Sequence, residues 1–389
     1  MKSWDVIIVG GGIIGLSLSI ELRKRGATVL VVERGEPGRE ASWAAGGMLV
    51  DNPIETPPAL QRLATASAQM YPEFARELEV ESEKKVDLRD YGTLFSLSAK
   101  HIRHPDLRIS LPHPAKLSEL EPAMLALTPD QKTFNDQSGV DPQETALGAA
   151  ATHPDFYFIQ ERSVDPRALS FAAQQRAKRR GVHVSSGEEV ISVSFENSRV
   201  GGVITKKTIF HASKVVNCAG AWSGQILPHK FPTRPVKGQM LCLLSPARDL
   251  LKHVIRSSDV YLIPRSDGRI VVGTTVEKAG FDKRTEIATI QRLHQAAIAL
   301  VPELRNARIL EDWAGLRPGT PDGLPILGAT STPGYFVATG HFRDGILLAP
   351  ITAHIMAKVV AGESPDYDLA AFSATRFLAA EAPDARASA

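Results

Sequence analysis

Cysteine is nearly absent from this 389-residue chain, which carries only Cys218 and Cys242. Two thiols without ligand-like spacing exclude a disulfide framework or a thiolate metal cluster, and they fit a reducing compartment. Each lies in an apolar, strand-like run, the usual setting of a buried structural thiol. Excess charge is missing too. The 45 Lys and Arg nearly balance 43 Asp and Glu, for a formal net charge of +2. With no basic stripe, nothing argues for a nucleic acid or an anionic membrane as partner. Every apolar run is too short, or too interrupted by glycine and charge, to span a bilayer. The apolar run Val6–Val9 starts so early that no secretory leader fits before it. We therefore expect a cytoplasmic protein with no membrane span. Internal repeats and low-complexity linkers are also lacking.

What is present is globular material: 43% of residues are hydrophobic and 23% charged, a composition that suits a folded chain rather than a disordered one. The length is that of about two to three domains. Residues 5–33 read as strand, glycine turn, helix and strand, a βαβ unit of the length a right-handed parallel crossover needs. A helix is expected over 57–85, with Leu60, Leu63, Met70, Phe74 and Leu78 on its apolar face. Residues 92–160 are proline-rich and mixed. Asp165 and Pro166 then open a helix that runs to Gly181. Short strands follow at 190–193, 200–204 and 215–217. Residues 260–264 and 269–273 form a hairpin around Ser266-Asp267-Gly268. A helix over 285–300, a strand over 335–339 and a helix over 345–361 complete the pattern. Segments of α/β character flank β-rich segments twice, which implies two domains built from a discontinuous chain.

Gly10-Gly11-Gly12-Ile13-Ile14-Gly15 fits G-x-G-x-x-G between a strand and a helix, the context that gives this pattern meaning. Gly10 permits the tight turn, Gly12 lets the backbone approach a pyrophosphate, and Gly15 lets helix and strand pack closely. The helix N-terminus offers free N–H groups to the phosphates. Glu33, eighteen residues after Gly15 at the end of the second strand, can accept from both ribose hydroxyls. The motif alone leaves FAD and NAD open. Its place at the extreme N-terminus, Arg34 after the acid, and the lack of a second such motif favour FAD. Arg317, between a strand and Pro318-Gly319, suits either a bidentate carboxylate clamp or an inter-domain salt bridge. Tyr261 in the hairpin reads on its own as a core or cross-strand aromatic.

Five stretches together resemble the FAD-dependent D-amino-acid oxidase superfamily: Val9 to Glu33, Ala41-Ser42-Trp43-Ala44-Ala45-Gly46-Gly47-Met48, Val215 to Ser223, and the two motifs Gly315 to Gly323 and Gly340 to Leu348. The last two resemble its glycine oxidase branch. The resemblance covers about residues 4 to 363 and is weakest over 92–160. It implies a fold of α/β and α+β character. A discontinuous Rossmann-like FAD-binding domain would take 1–88, 150–225 and 312–366. A β-rich antiparallel substrate domain would take 89–149 and 226–311, leaving 367–389 as a tail. Ile13, Ile14, Glu33 and Arg34 would meet the nucleotide. Ala41, Ser42, Gly46, Gly47 and Met48 would line the pyrophosphate and flavin approach, and Val190 would bond the adenine edge through its backbone. Gly340, His341, Phe342, Arg343, Asp344, Gly345, Ile346 and Leu347 would wrap the isoalloxazine, with a helix starting at Gly345 aimed at its pyrimidine carbonyls. Arg317 and Tyr261 would hold a substrate carboxylate, with Arg343 beside it, and Met48 and Val276 would limit bulk.

Sarcosine oxidases of the superfamily carry a lysine over the flavin and tether FAD through a cysteine. This chain has Val276 and no cysteine at those places, which implies non-covalent FAD. The implied reaction is oxidative deamination of glycine or another small amino acid or secondary amine, by hydride transfer to flavin N5. Molecular oxygen would be the acceptor, with no protein base required, and thiamine biosynthesis is the context. A homo-oligomer stays open. So does a D-amino-acid or glycine dehydrogenase that passes electrons to a quinone or partner subunit, a chain that holds FAD only structurally, and a nicotinamide dehydrogenase.

Overall fold

The computed structural model describes residues 3–96, 119–124, 156–196 and 199–381; most of the 89–149 segment expected in the second domain lies outside the described residues. Strand β1 (Ser3–Val9), helix α1 (Ile13–Lys24) and strand β2 (Val29–Glu33) open the chain. Short α2 (Ala41–Ala44) and β3 (Met48–Leu49) lead to α3 (Pro58–Ser82), β4 (Thr93–Ser96), β5 (Phe156–Ile159) and β6 (Arg162–Ser163). Helix α4 (Pro166–Arg179) is capped as its sequence predicts, with the Asp165 carboxylate accepting from the N–H groups of Arg167 and Ala168. Strands β7 (His183–Ser186), β8 (Val190–Glu196), β9 (Arg199–Thr205), β10 (Ile209–Asn217) and β11 (Arg234–Leu244) follow. Strands β12 (Val254–Arg256), β13 (Tyr261–Pro264) and β14 (Arg269–Gly273) precede α5 (Ile287–Leu300). The chain continues through β15 (Arg308–Gly319), β16 (Ile326–Ala329), β17 (Tyr335–Thr339) and α6 (Ala349–Ala361).

The first sheet has the order β16-β17-β10-β1-β2-β7, with β9 joining β10 and β8 joining β9. Its pairs β17–β10, β10–β1, β1–β2 and β2–β7 are parallel. The unbroken apolar run of β1 is explained by burial on both faces. Val6 and Ile8 pack into one core with α1, α3, α4 and α6, while Ile7 and Val9 pack into a second with Val193, Val203 and Phe231.

The second sheet runs β15-β11-β14-β13-β12-β4-β5. It is antiparallel apart from the parallel pair β12–β4. One face packs on α5 through Leu241, Leu243, Leu262 and Val272 against Ile290, Leu293 and Ala297. The other face turns Met240, Ile263 and Trp313 toward Ala44, Trp43 and Met48 of the first unit. Two assignments differ from the sequence reading. Strand β5, placed there with the nucleotide-binding segments, pairs with β4 in the second sheet. Strand β15 runs unbroken across position 312 because it pairs with β11 from Arg308 to Gly319.

Candidate active site

The turn between β1 and α1 needs glycine at two points. Gly10 has φ +107°, and a Cβ there would lie 2.5 Å from the Cys218 carbonyl oxygen. A Cβ on Gly15 would run into the Gly10 carbonyl, so this residue closes helix onto strand rather than facing a ligand. Gly12 opens α1 with no side-chain cap and no acidic residue in the first turn, which leaves a positive helix end available to an anion. The Ile13 N–H donates to Ser42 Oγ at 2.9 Å. Glu33 bridges the turn, accepting from Gly11 N at 2.7 Å and Gly35 N at 2.8 Å. Arg34 lies 4.0 Å over the Trp222 ring and pairs with Glu40 at 3.1 Å.

From this cradle a cavity of about 760 Å³ extends to the second sheet. That is within the roughly 300–1,000 Å³ of cofactor and ligand sites. At its far end Arg317 of β15 donates from Nη2 to Thr274 Oγ1 at 2.9 Å and from Nη1 to the Thr275 carbonyl at 3.2 Å. Both acceptors are neutral, and among the described residues Arg317 forms no ion pair. Burial presses its pKa below the ordinary guanidinium value, with Arg343 adding to the effect. A bound carboxylate would relieve that strain on the charge. Tyr261 of β13 lies close enough for Arg317 to act on its phenol, whose pKa burial pushes up. Its hydroxyl is 3.7 Å from Met240 Sδ, a weak acceptor.

The 341–348 turn forms a third wall. The regular helix begins at Ala349, not at Gly345 as expected. Pro350 lacks the N–H that would bond the Ile346 carbonyl, and the Tyr71 hydroxyl donates to that carbonyl instead, at 2.7 Å. Ser67 Oγ donates to the Leu347 carbonyl at 2.6 Å. His341 is buried against Thr352 Oγ1 at 3.1 Å, and burial pulls its pKa down to about 3, so it is neutral at physiological pH. Burial pushes the Asp344 carboxyl up to about 6.

The cavity brings together Gly10, Gly12, Ile13, Ile14, Glu33, Arg34, Ala41, Ser42, Gly46, Gly47, Met48, Val190, Tyr261, Arg317, His341, Phe342, Arg343, Asp344, Gly345 and Ile346. Val276 and Asp259 also line it. Gly15, Gly340 and Leu347 do not. A Cβ on Gly340 would meet the Thr320 side chain at 2.6 Å, and Leu347 is core. Sequence reasoning missed several wall residues. A Cβ on Gly238 would strike the Arg317 guanidinium, and one on Gly273 would lie 2.8 Å from Tyr261 Oη. Glycine inside a strand run was the available signal. Thr274, Trp222, Glu55 and Arg256 were missed as well.

The polar end of α1, the acid at the end of β2 and a cavity of this size fit a dinucleotide reaching from Gly10 toward Arg317. Residues 5–359 match the family described as FAD dependent oxidoreductase. Glycine oxidase of Pseudomonas aeruginosa is 33% identical over 386 residues, spanning 95% of this chain and 98% of that one. Hydrogen cyanide synthase subunit HcnC of the same organism is 31% identical over 97% of each chain. The bifunctional ThiO/ThiG protein of Trichormus variabilis is 34% identical over 96% of this chain, which spans about half (55%) of that longer protein. The crystal structure of glycine oxidase from Geobacillus kaustophilus matches with a TM-score of 0.84 at 28% identity, over 97% of this chain and 99% of that one. A match of this extent settles the cofactor class that the glycine motif alone left open, and the chain belongs to the family of FAD-dependent oxidoreductases.

Proposed function

We propose that this enzyme oxidises glycine or another small amino acid or secondary amine, with FAD held non-covalently and molecular oxygen as acceptor. The net reaction for glycine is glycine, water and oxygen to glyoxylate, ammonia and hydrogen peroxide. The observation that carries the reading is Arg317: a guanidinium without an ion pair among the described residues, beside Tyr261, in the cavity that begins at the nucleotide cradle. Arg317 and Tyr261 would grip the substrate carboxylate and thereby fix the direction of its Cα–H bond, a positioning effect that lowers the barrier entropically. Arg343 adds positive charge at the same end, and Met48 and Val276 restrict bulk. When bound, FAD supplies the two-electron acceptor for that bond. The neutral His341 keeps a second cation out of the turn beside it.

Non-covalent attachment is supported by the thiols. Burial raises the pKa of Cys218, which faces the cavity, and pushes Cys242, which does not, up to about 11. Neither supplies thiolate at neutral pH. The two sheets support the division into a nucleotide-binding domain and a substrate domain, with β5 moved to the latter. The likeness to glycine oxidase supports glycine as substrate, and the likeness to a subunit of hydrogen cyanide synthase supports the second reading, in which a partner subunit takes the electrons; thiamine biosynthesis is the setting that the sequence resemblance implies. Purified holoenzyme offered glycine, sarcosine and small D-amino acids should bleach anaerobically and release one peroxide per turnover in air. Bleaching without peroxide would select the dehydrogenase reading; no bleaching by any of them would end the amino-acid reading.

A further inference from the structure

The cavity carries more charge than a carboxylate clamp requires. Besides Arg317 and Arg343, its wall includes the carboxylates of Glu55 and Asp344. Glu55 is held rigidly. Asn52 Oδ1 accepts from the N–H groups of Ile54 and Glu55 at 3.0 and 3.2 Å and fixes the turn. Asn52 Nδ2 donates to buried Glu161, and Glu161 and Glu55 both pair with Arg256, at 2.9 and 2.8 Å. Arg256 is only 4% exposed, lines the cavity, and has an Nε without a hydrogen-bond partner among the described residues. This chain of buried partners presents a one-third-exposed carboxylate to the ligand space. Asp344 differs: its carboxylate makes no hydrogen bond or ion pair among the described residues.

We propose that Glu55 and Asp344 form the seat for the substrate's ammonium group, so that the cavity reads a zwitterion by both of its charges. This rests on the amino-acid reading above and deepens it. Two guanidiniums without ion pairs among the described residues match a carboxylate; two carboxylates, one anchored by Arg256 and one without a partner among the described residues, match an ammonium. A few convergent polar groups of this kind are how ligand sites fix orientation. Asp344 supplies a pH signature. Burial raises its carboxyl to about 6, Arg343 on its own turn opposes that, and Glu55 from the facing segment adds to it. Behind Glu55 stands Arg256, and His341 on the same turn stays neutral. Asp344 is therefore ionised above about pH 6, and its share of the seat's charge is lost as the pH falls through that value.

The test uses FAD-loaded enzyme, Asp344→Asn, Glu55→Gln and two ligands: glycine, and acetate, which has the carboxylate but no amine. Acetate binding is read from the perturbation of the flavin spectrum. A charge-assisted hydrogen bond of about 1.5–3 kcal/mol corresponds to a loss of about ten- to hundred-fold. We expect kcat/KM for glycine to fall by that factor in each variant, with acetate Kd changed less than about two-fold. In wild type, kcat/KM should decline below about pH 6, and that limb should vanish in Asp344→Asn. Equal losses for glycine and acetate, or no loss for glycine, would overturn the proposal. Wild-type enzyme that no amino acid reduces would instead sink the parent reading, which the variants do not affect.

Discussion

At the scale of the residue, Arg317 is a buried charge without an ion pair among the described residues. Its hydrogen bonds to Thr274 and Thr275 hold the guanidinium in place without neutralising it. Truncating one member of a desolvated charge pair costs about 2–5 kcal/mol. Arg317→Ala should therefore raise KM for glycine by about thirty-fold or more at unchanged FAD content, read from steady-state rates and the flavin absorbance. A sharper variant leaves the arginine intact. Gly238 lies two positions from Val236, the residue opposite Arg317 in the β11–β15 register, and a methyl there would collide with the guanidinium. Gly238→Ala should reproduce the KM defect while FAD stays bound. A wild-type KM in Gly238→Ala would mean that the guanidinium moves aside without loss and is no rigid clamp.

At the scale of the element, local chemistry was readable where the cause is local. Gly10, Gly12 and Gly15 sit on a strand-turn-helix whose sequence dictates it, and Asp165 caps α4 through its own neighbours. The Tyr261–Pro264 and Arg269–Gly273 hairpin formed as its turn chemistry predicts. The start of α6 was not readable, because the Ile346 carbonyl that Pro350 leaves without its helical partner is taken up by Tyr71 of α3, and the next carbonyl, Leu347, by Ser67 of the same helix, some 280 residues earlier. Nor were Gly238, Thr274 and Glu55 legible as site residues. Their roles depend on strand register and on a buried chain of ion pairs that no spacing encodes. The turn at Gly10 gives a prediction of its own. Its φ of +107° and the 2.5 Å approach to the Cys218 carbonyl both oppose a side chain. Gly10→Ala should purify largely colourless and bind added FAD at least about ten-fold more weakly by fluorescence titration, since the strain costs at least about 1–2 kcal/mol. Normal FAD retention would show that the cradle does not hold the phosphates.

At the scale of the whole molecule, the cavity is the seam between two sheets. Gly10 and Glu33 belong to the parallel one, Tyr261 and Arg317 to the antiparallel one. Protein contacts across the seam include Arg265, whose guanidinium donates to the carbonyls of Val164 at 3.0 Å and Gly46 at 2.6 Å, and Arg269, paired with Asp165 at 2.7 Å. A ligand filling the seam would add contacts to both units at once. It binds the folded state alone, so free FAD at a hundred times its Kd adds about 2.7 kcal/mol. Spread over the 389 residues of the chain, at roughly 2.1 cal/mol/K of unfolding entropy per residue, that is about 3 °C in Tm. Apoenzyme titrated with FAD should therefore show a concentration-dependent rise in Tm of this size, and both sheets should melt in one transition. In Gly10→Ala the apo Tm should fall by about 1–3 °C, the cost of the strain at the turn, while the FAD-dependent rise collapses, because the cradle is lost and the seam contacts are not. If FAD instead raised the melting of only one of two resolved transitions, the cofactor would be held by the parallel unit alone. The antiparallel sheet would then contribute the substrate clamp without sharing the cofactor's weight.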